Sequence, residues 1–176
     1  MKIQAELGDL VQQNVDAIVN AANTSLSGGG GVDGAIHETA GKYELQQACQ
    51  KLGGCNQGNA KFTPGFNLKA KWIIHTVGPI YKDGNHDEDK ILSSCYKKSV
   101  AIADDLGVRS IAFPAISTGV YGFPKKWAAE IAVSSLFSVK PKNVDSIYLV
   151  AFDKETFQLY EYFLAFYKQN EIKKEY

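Results

Sequence analysis

Short apolar segments alternate with amphipathic segments along the whole chain, and this alternation predicts its secondary structure. Residues 72–77 form an apolar, β-branched run closed by Gly78 and Pro79, which is typical of a strand. Between positions 91 and 106, apolar or small side chains recur every three or four residues, as on one face of a helix ending at Gly107. The same pattern predicts strands at 2–7, 16–19, 59–63, 72–77, 110–114 and 146–152, helices at 32–40, 44–52, 91–106 and 125–137, and a last helix whose apolar face carries positions 160, 163, 164 and 167.

Strands and helices follow one another without a repeat or a linker, which predicts one α/β domain over residues 1–170 and a polar C-terminal tail over 171–176. The expected architecture is a three-layer α/β/α sandwich with a mixed or mostly parallel central sheet. Residues 59–63 should lie at the sheet edge, because Pro64 cannot donate a hydrogen bond to a neighbouring strand. In such sheets ligands bind beyond the carboxyl ends of the strands. Loops that follow the predicted strands should therefore converge on one pocket.

Composition narrows the classes of partner. Nineteen basic and nineteen acidic side chains give zero net charge, which disfavours a broad electrostatic surface for nucleic acid. Any phosphate should therefore be bound locally, through backbone amides. Three cysteines in no metal-ligand pattern are typical of a reducing compartment. No apolar run suggests a leader or a membrane span, so the expected location is cytoplasmic and the expected form a monomer with no membrane partner.

A run of four glycines, at positions 28–31, leads into the first predicted helix. Such a loop lets the backbone approach a ligand closely, and a helix N-terminus favours an anion. Asp33 follows directly and would repel a phosphate, so it either caps the helix or faces a sugar hydroxyl or a water. His37 lies one turn further along the same helix face, where a histidine is commonly a core or hydrogen-bonding residue.

Polar residues also follow other predicted strands. Asn20 and Asn23 come after the strand at 16–19 and either contact a neutral ligand group or build the turn. A second glycine-containing loop, at 117–122, separates a strand from a helix, and two such loops suggest a diphosphate ligand. Asp9 either accepts from an exocyclic amine or is a turn residue, and Phe152 either stacks on a base or belongs to the core. His75 is interpreted as a hydrogen-bonded core histidine.

Taken together, several motifs resemble those of the macrodomains, and most closely the MacroD-type enzymes that process ADP-ribose. Their order and spacing are maintained from about residue 2 to residue 153. Val11 departs from the pattern, because many macrodomains carry threonine there. The motifs that carry the resemblance are Gly8-Asp9-Leu10, residues 16–23, residues 28–37, His75-Thr76-Val77-Gly78-Pro79 and residues 112–124.

The resemblance implies ADP-ribose in a cleft, with no metal and no cofactor. Asp9 would bind the adenine amino group, with Leu10 and Phe152 against the ring. Asn23 and Asp33 would face the distal ribose as catalytic residues, and His37 would support them. The other ligand-binding positions that the resemblance implies are Asn20, Gly30, Gly31, Val32, Ser117, Thr118, Gly119, Val120 and Tyr121.

The implied activity is hydrolysis of an ester at the distal ribose, in O-acetyl-ADP-ribose and in mono-ADP-ribosylated Asp or Glu side chains. Asp33 would act as general base, or would position a water that a substrate phosphate already holds. One alternative is a module that binds ADP-ribose without cleaving it. Another is a phosphatase for ADP-ribose 1″-phosphate. Binding of single-stranded RNA or poly(ADP-ribose) is disfavoured by the zero net charge.

Overall fold

The computed structural model describes residues 1–174 as a six-stranded sheet with helices on both faces. The sheet order is β1-β6-β5-β2-β4-β3, and every neighbouring pair is parallel except the antiparallel pair of β3 and β4. This confirms the predicted α/β/α sandwich with a mixed sheet. The strands are β1 (Lys2–Leu7), β2 (Ala17–Ala21), β3 (Ala60–Pro64), β4 (Trp72–Thr76), β5 (Ser110–Phe113) and β6 (Ser146–Ala151). The helices are α1 (Gly31–Ala40), α2 (Lys42–Leu52), α3 (Glu88–Asp105), α4 (Lys125–Ser138) and α5 (Lys154–Lys174), with a short 3₁₀ turn at Leu10–Gln12.

Alternate residues of each strand bury into two separate apolar clusters, one on each face of the sheet. Val19 and Ile74 belong to the cluster that packs against α3, α4 and α5. Ile18 and Ile73, their neighbours in sequence, belong to the cluster that packs against α1 and α2. The polar side chains of β2 and β4 that lie on the same face as Ile18 and Ile73 therefore point toward α1.

Several elements begin or end a few residues away from their predicted bounds, and two of these differences concern the site and the C-terminal end. Strand β2 continues to Ala21, so Asn20 lies inside a buried strand and not in the turn after it. The predicted tail is helical over residues 171–174, where α5 continues with glutamate and lysine, both good helix formers. Residues 175 and 176 of that tail lie outside the described part of the chain. No helix within residues 1–174 is long and apolar enough to cross a membrane.

Candidate active site

The carboxyl ends of five parallel strands present the candidate residues in a row. Following the sheet order, these are Asp9 after β1, Phe152 after β6, Ser117 after β5, Asn23 after β2 and Gly78 after β4. The first two are held together because the Gly8 amide donates to the Ala151 carbonyl at 2.9 Å. The loops therefore converge beyond the carboxyl ends of the strands, as predicted, and their forming a single pocket stays a prediction.

The glycine run ends in an uncapped helix N-terminus. Gly30 is the N-cap of α1, and within residues 1–174 no side chain accepts a hydrogen bond from this first turn. The run also folds back over the helix that it precedes: a Cβ at Gly34 would lie 2.5 Å from the Gly29 carbonyl oxygen. The chain therefore needs glycine at position 34 to keep the loop against α1, with the first amides free for an anion.

Asp33 does not cap this helix, so the capping alternative is wrong. Its carboxylate turns inward, where Oδ1 accepts a hydrogen bond from Asn20 Nδ2 at 2.9 Å and lies 3.3 Å from His37 Nε2. Burial raises the pKa of Asp33, while the Asn20 hydrogen bond and the His37 charge oppose that rise. A buried carboxyl with a raised pKa is a better proton acceptor than an exposed one.

His37 and Asn23 fix the glycine run from two sides. The His37 ring is buried and packs under Gly28, where an added Cβ would lie 3.4 Å from the ring. Asn23 Nδ2 donates to the Gly28 carbonyl at 2.9 Å, and Asn23 Oδ1 accepts from the Ser27 amide at 3.0 Å. Asn23 thus stabilises the loop that carries the free amides, and its predicted role at a ribose remains a prediction.

The second glycine-containing loop holds a strained serine. Ser117 has a φ of 65°, in the left-handed region that non-glycine residues seldom adopt, and its carbonyl accepts from the Phe123 amide at 2.9 Å. Its buried Oγ has no hydrogen-bond partner among residues 1–174. Any Cβ at Gly78 would collide with that oxygen. Backbone strain and an unpaired buried hydroxyl are both typical of ligand-binding loops.

The remaining loop residues differ in what they offer to a ligand. Thr118 Oγ1 donates to the Ala115 carbonyl at 2.9 Å, and the Tyr121 carbonyl accepts from the Tyr81 amide at 2.9 Å. Gly119 is exposed, and the Val120 side chain is fully exposed. The loop therefore turns an apolar tip and free backbone toward solvent, beside the strand end that carries Phe152.

At the other end of the row, Phe152 and Leu10 lie in different environments. The Phe152 side chain is 91% exposed, which excludes the core interpretation, whereas Leu10 is buried in the cluster against α1 and α2. The carboxylate of Asp9 accepts from the Val11 amide at 3.1 Å and caps the short 3₁₀ turn. The turn interpretation of Asp9 is thus confirmed, and its contact with an exocyclic amine stays a prediction.

Comparison with known proteins identifies this arrangement. The sequence profile of the Macro domain family matches residues 19–132. The chain belongs to that family. A macro domain-containing protein of Methanosarcina mazei is 54% identical over 151 residues, which are 85% of this chain and 80% of that protein. A protein of Escherichia fergusonii named O-acetyl-ADP-ribose deacetylase is 51% identical over 170 residues, covering 93% and 96%.

Solved macrodomains are similar to this chain in fold and in sequence. A mutant of the Oceanobacillus iheyensis macrodomain with ADPR superposes with a TM-score of 0.88 at 36% identity, covering 94% of each chain. A Trypanosoma brucei macrodomain in complex with ADP-ribose gives a TM-score of 0.82 at 37% identity, covering 90% of this chain and 67% of that one.

A cavity of about 430 Å³ lies beside the glycine run of this macrodomain. Ser27, Gly28, His37 and Lys42 are among its lining residues, while Asp9, Ser117 and Phe152 are not. Asn23 and Asp33 are not among its lining residues either, so the cavity lies between the glycine run, α1 and the start of α2 and does not extend along the row of strand ends.

A second polar cluster of the macrodomain belongs to the loop before α3. Ligand atoms of Asp83, His86 and Glu88 lie within 4.8 Å of one another. The Glu88 carboxylate, however, accepts from the backbone amides of Lys82, Asp83, Gly84 and His86. Both Glu88 carboxylate oxygens therefore accept hydrogen bonds from the loop, and these bonds account for the close approach of the three side chains.

Sequence reasoning missed the residues behind Asn20. His75 is a buried, hydrogen-bonded core histidine, as predicted, but its partner is Asn20, at 3.1 Å between Nδ1 and Nδ2. Thr63 Oγ1 lies 2.9 Å from His75 Nε2 on the other side of the ring. The available signal was a polar residue in or directly after three predicted strands, and the sheet order needed to connect these residues is not encoded in any local pattern.

Proposed function

We propose that this macrodomain binds ADP-ribose and hydrolyses esters at its distal ribose. The observation that carries the proposal is the Asp33 carboxylate, which is buried against Asn20 and His37 directly after the uncapped glycine run. A module that only bound the ligand would have no use for a buried carboxylate with a raised pKa at that position. The name of the E. fergusonii relative and the ADPR in the O. iheyensis structure support the same conclusion.

The proposed orientation of the ligand follows the order of the strand ends. Asp9 and Phe152 would bind the adenine, and the amides of Gly31 and Val32 would bind the diphosphate together with the Ser117 loop. Asn23 and Asp33 would then face the distal ribose. In this orientation Asp33, which would repel a phosphate, contacts the distal ribose, and the amides of Gly31 and Val32 contact the diphosphate.

The proposed chemistry is attack of water on the acyl carbon of the ester. The water oxygen forms a bond to that carbon, the bond from the carbon to the ribose oxygen breaks, and a proton reaches the ribose oxygen. Asp33 would accept a proton from the water or would orient a water held by a substrate phosphate. General-base assistance of this kind contributes about 10² to 10⁴ in rate. The products are ADP-ribose and acetate, or ADP-ribose and a free Asp or Glu side chain.

The experiment that tests this proposal compares substrates under identical conditions. The protein is incubated separately with O-acetyl-ADP-ribose, a mono-ADP-ribosylated glutamate substrate and ADP-ribose 1″-phosphate, and ADP-ribose affinity is measured by calorimetry. Release of ADP-ribose from either ester is the expected result. Tight binding without product would instead indicate a binding module, and release of phosphate alone would indicate a phosphatase.

Location and assembly form part of the same proposal. A cytoplasmic, monomeric enzyme would find both free O-acetyl-ADP-ribose and modified proteins, and the thiols of Cys49, Cys55 and Cys95 are unpaired, as in a reducing compartment.

A further inference from the structure

Three adjacent strands place one buried polar side chain each on the face that packs against α1 and α2. These are Asn20 on β2, His75 on β4 and Thr63 on β3, and all three are buried. Their side chains form a chain of hydrogen bonds from Asp33 inward: 2.9 Å to Asn20, 3.1 Å to His75 and 2.9 Å to Thr63. A buried polar chain of this kind loses stability unless its members satisfy one another.

With the Asn20 amide nitrogen toward an ionised Asp33, the donors and acceptors along this chain have one consistent assignment. Asn20 Nδ2 donates to both Asp33 Oδ1 and His75 Nδ1. His75 must then be neutral with its proton on Nε2, where it donates to Thr63 Oγ1. Burial and the charge of His37 lower the pKa of His75 to about 3, so the ring stays neutral at any ordinary pH.

The orientation of the Asn20 amide is fixed only by the two hydrogen bonds of its nitrogen Nδ2. Its Oδ1 is buried and has no hydrogen-bond partner within residues 1–174, so that end of the amide does not favour either orientation. The reversed amide would bring Oδ1 against the Asp33 carboxylate, which repels it, and against His75 Nδ1. It becomes favourable only if Asp33 is protonated and His75 carries its proton on Nδ1.

We propose that Thr63 and His75 are positioning residues that act through Asn20 on Asp33. By keeping His75 Nδ1 an acceptor, they hold the Asn20 amide nitrogen toward the Asp33 carboxylate, and this hydrogen bond favours the ionised form and fixes the orientation of the carboxylate. Neither residue contacts the ligand in this account. The catalytic consequence rests on the function proposed above, whereas the effect on Asp33 itself does not.

Loss of the Thr63 hydroxyl removes the oxygen acceptor for the His75 Nε2 proton and leaves this nitrogen beside Cys49 Sγ, a weaker acceptor 3.9 Å away. The tautomer with the proton on Nδ1 then becomes more favourable, and with it the reversed Asn20 amide that accompanies a protonated Asp33. Protonation of Asp33 therefore costs less free energy in the variant, and the pKa of Asp33 rises. The other titratable groups that face Asp33 are His37 from α1 and the Cys49 thiol from α2, and neither is substituted in the Thr63 variants, although Cys49 also lies 3.9 Å from His75 Nε2. A change in the titration of Asp33 would therefore report on the hydrogen-bond chain.

The test titrates Asp33 by carboxyl ¹³C NMR in the whole protein, with its signal assigned by its absence in Asp33→Asn. In Thr63→Val the titration midpoint of Asp33 is expected to move up by about one pH unit, as for a lost hydrogen bond to a charged group. Thr63→Ser restores the hydroxyl and should return the wild-type midpoint. The matched control is Thr76→Val, which removes another buried hydroxyl of the sheet, one that donates to the Asn59 carbonyl at 2.8 Å.

A second readout is the pH dependence of kcat/KM for O-acetyl-ADP-ribose. Its ascending limb should move by the same amount in Thr63→Val, with ADP-ribose affinity unchanged. Thr63→Ala provides a second variant without the hydroxyl, should the valine variant fail to fold. An unchanged Asp33 midpoint in both variants, or an equal change in Thr76→Val, would overturn the proposal. Absence of any hydrolysis by the wild type would contradict the proposed function and leave the NMR result valid.

Discussion

Gly34 is the residue at which local rules and tertiary contacts disagree most clearly. It lies in the first half of α1, where alanine is intrinsically better than glycine by about 1 kcal/mol. The Gly29 carbonyl, however, occupies the space that a methyl group would need. The close approach of the glycine run to its own helix therefore outweighs helix propensity at this position.

Gly34→Ala is accordingly expected to destabilise the protein by about 1–3 kcal/mol, the range for overpacking, and to weaken ADP-ribose binding because the loop amides move. Urea unfolding and calorimetry measure the two effects. Gly30→Ala is the matched control for stability, since Gly30 has an ordinary φ and nothing lies within 4 Å of its added Cβ. Equal stability of the two variants would show that the contact with Gly29 is not limiting.

For single residues, the sequence was sufficient to identify Asp33 and His37 as candidates but not the side chains that hydrogen-bond to them. Asp33 stands out because it follows the glycine run, and His37 because it lies one turn later. The contact of Asn20 with His75 joins positions 55 residues apart and depends on β2 lying next to β4. No local periodicity contains that information, so Asn20 was predicted as a loop residue although it is buried in a strand.

Helix α3 begins at Glu88, three residues before its predicted start at position 91. The apolar periodicity starts at Ile91, whereas the helix starts at Glu88 with a polar first turn. Glu88 belongs to the helix for a different reason: its buried carboxylate accepts four backbone amides of the preceding loop. These donors lower the pKa of Glu88 to about 2.

The pH dependence of stability follows from that shift. The ordinary pKa is 4.5, so the contribution of Glu88 is complete above that pH and is lost as the pH falls toward 2. Glu88→Gln should therefore be less stable than the wild type at pH 7, and the difference should shrink between pH 4.5 and pH 2. Urea unfolding at several pH values measures this, and a difference that stays constant with pH would refute it.

For the whole molecule, alternation of strands and helices was sufficient to predict the sandwich and the convergence of loops at one sheet edge. It was not sufficient to predict the order of strands, because each strand's neighbours are determined by packing against helices far away in sequence. The observed order matters for function: strand β5 lies between β6, which Phe152 follows, and β2, whose Asn20 holds Asp33. Base recognition and ester cleavage should therefore be separable by mutation.

Phe152→Ala tests that separation. The variant loses an exposed aromatic ring and is expected to bind ADP-ribose about tenfold more weakly, which is within the usual range for a base stacked on an aromatic side chain. Its kcat should be nearly unchanged. The matched control is Phe166→Ala, which removes a half-exposed phenylalanine from α5, away from the strand ends. A large fall in kcat for Phe152→Ala would contradict the assigned orientation of the ligand.

The central claim is that Asp33 serves the reaction more than the binding of the ligand, and Asp33→Asn tests it most directly. This variant keeps the shape of the side chain and an oxygen that accepts from Asn20 Nδ2 while removing the proton acceptor. The measurement is single-turnover hydrolysis of O-acetyl-ADP-ribose beside calorimetric binding of ADP-ribose. The account predicts a rate at least about 10²-fold lower with affinity within about threefold of the wild type. An unchanged rate, or a loss of affinity that accounts for the whole effect, would contradict it.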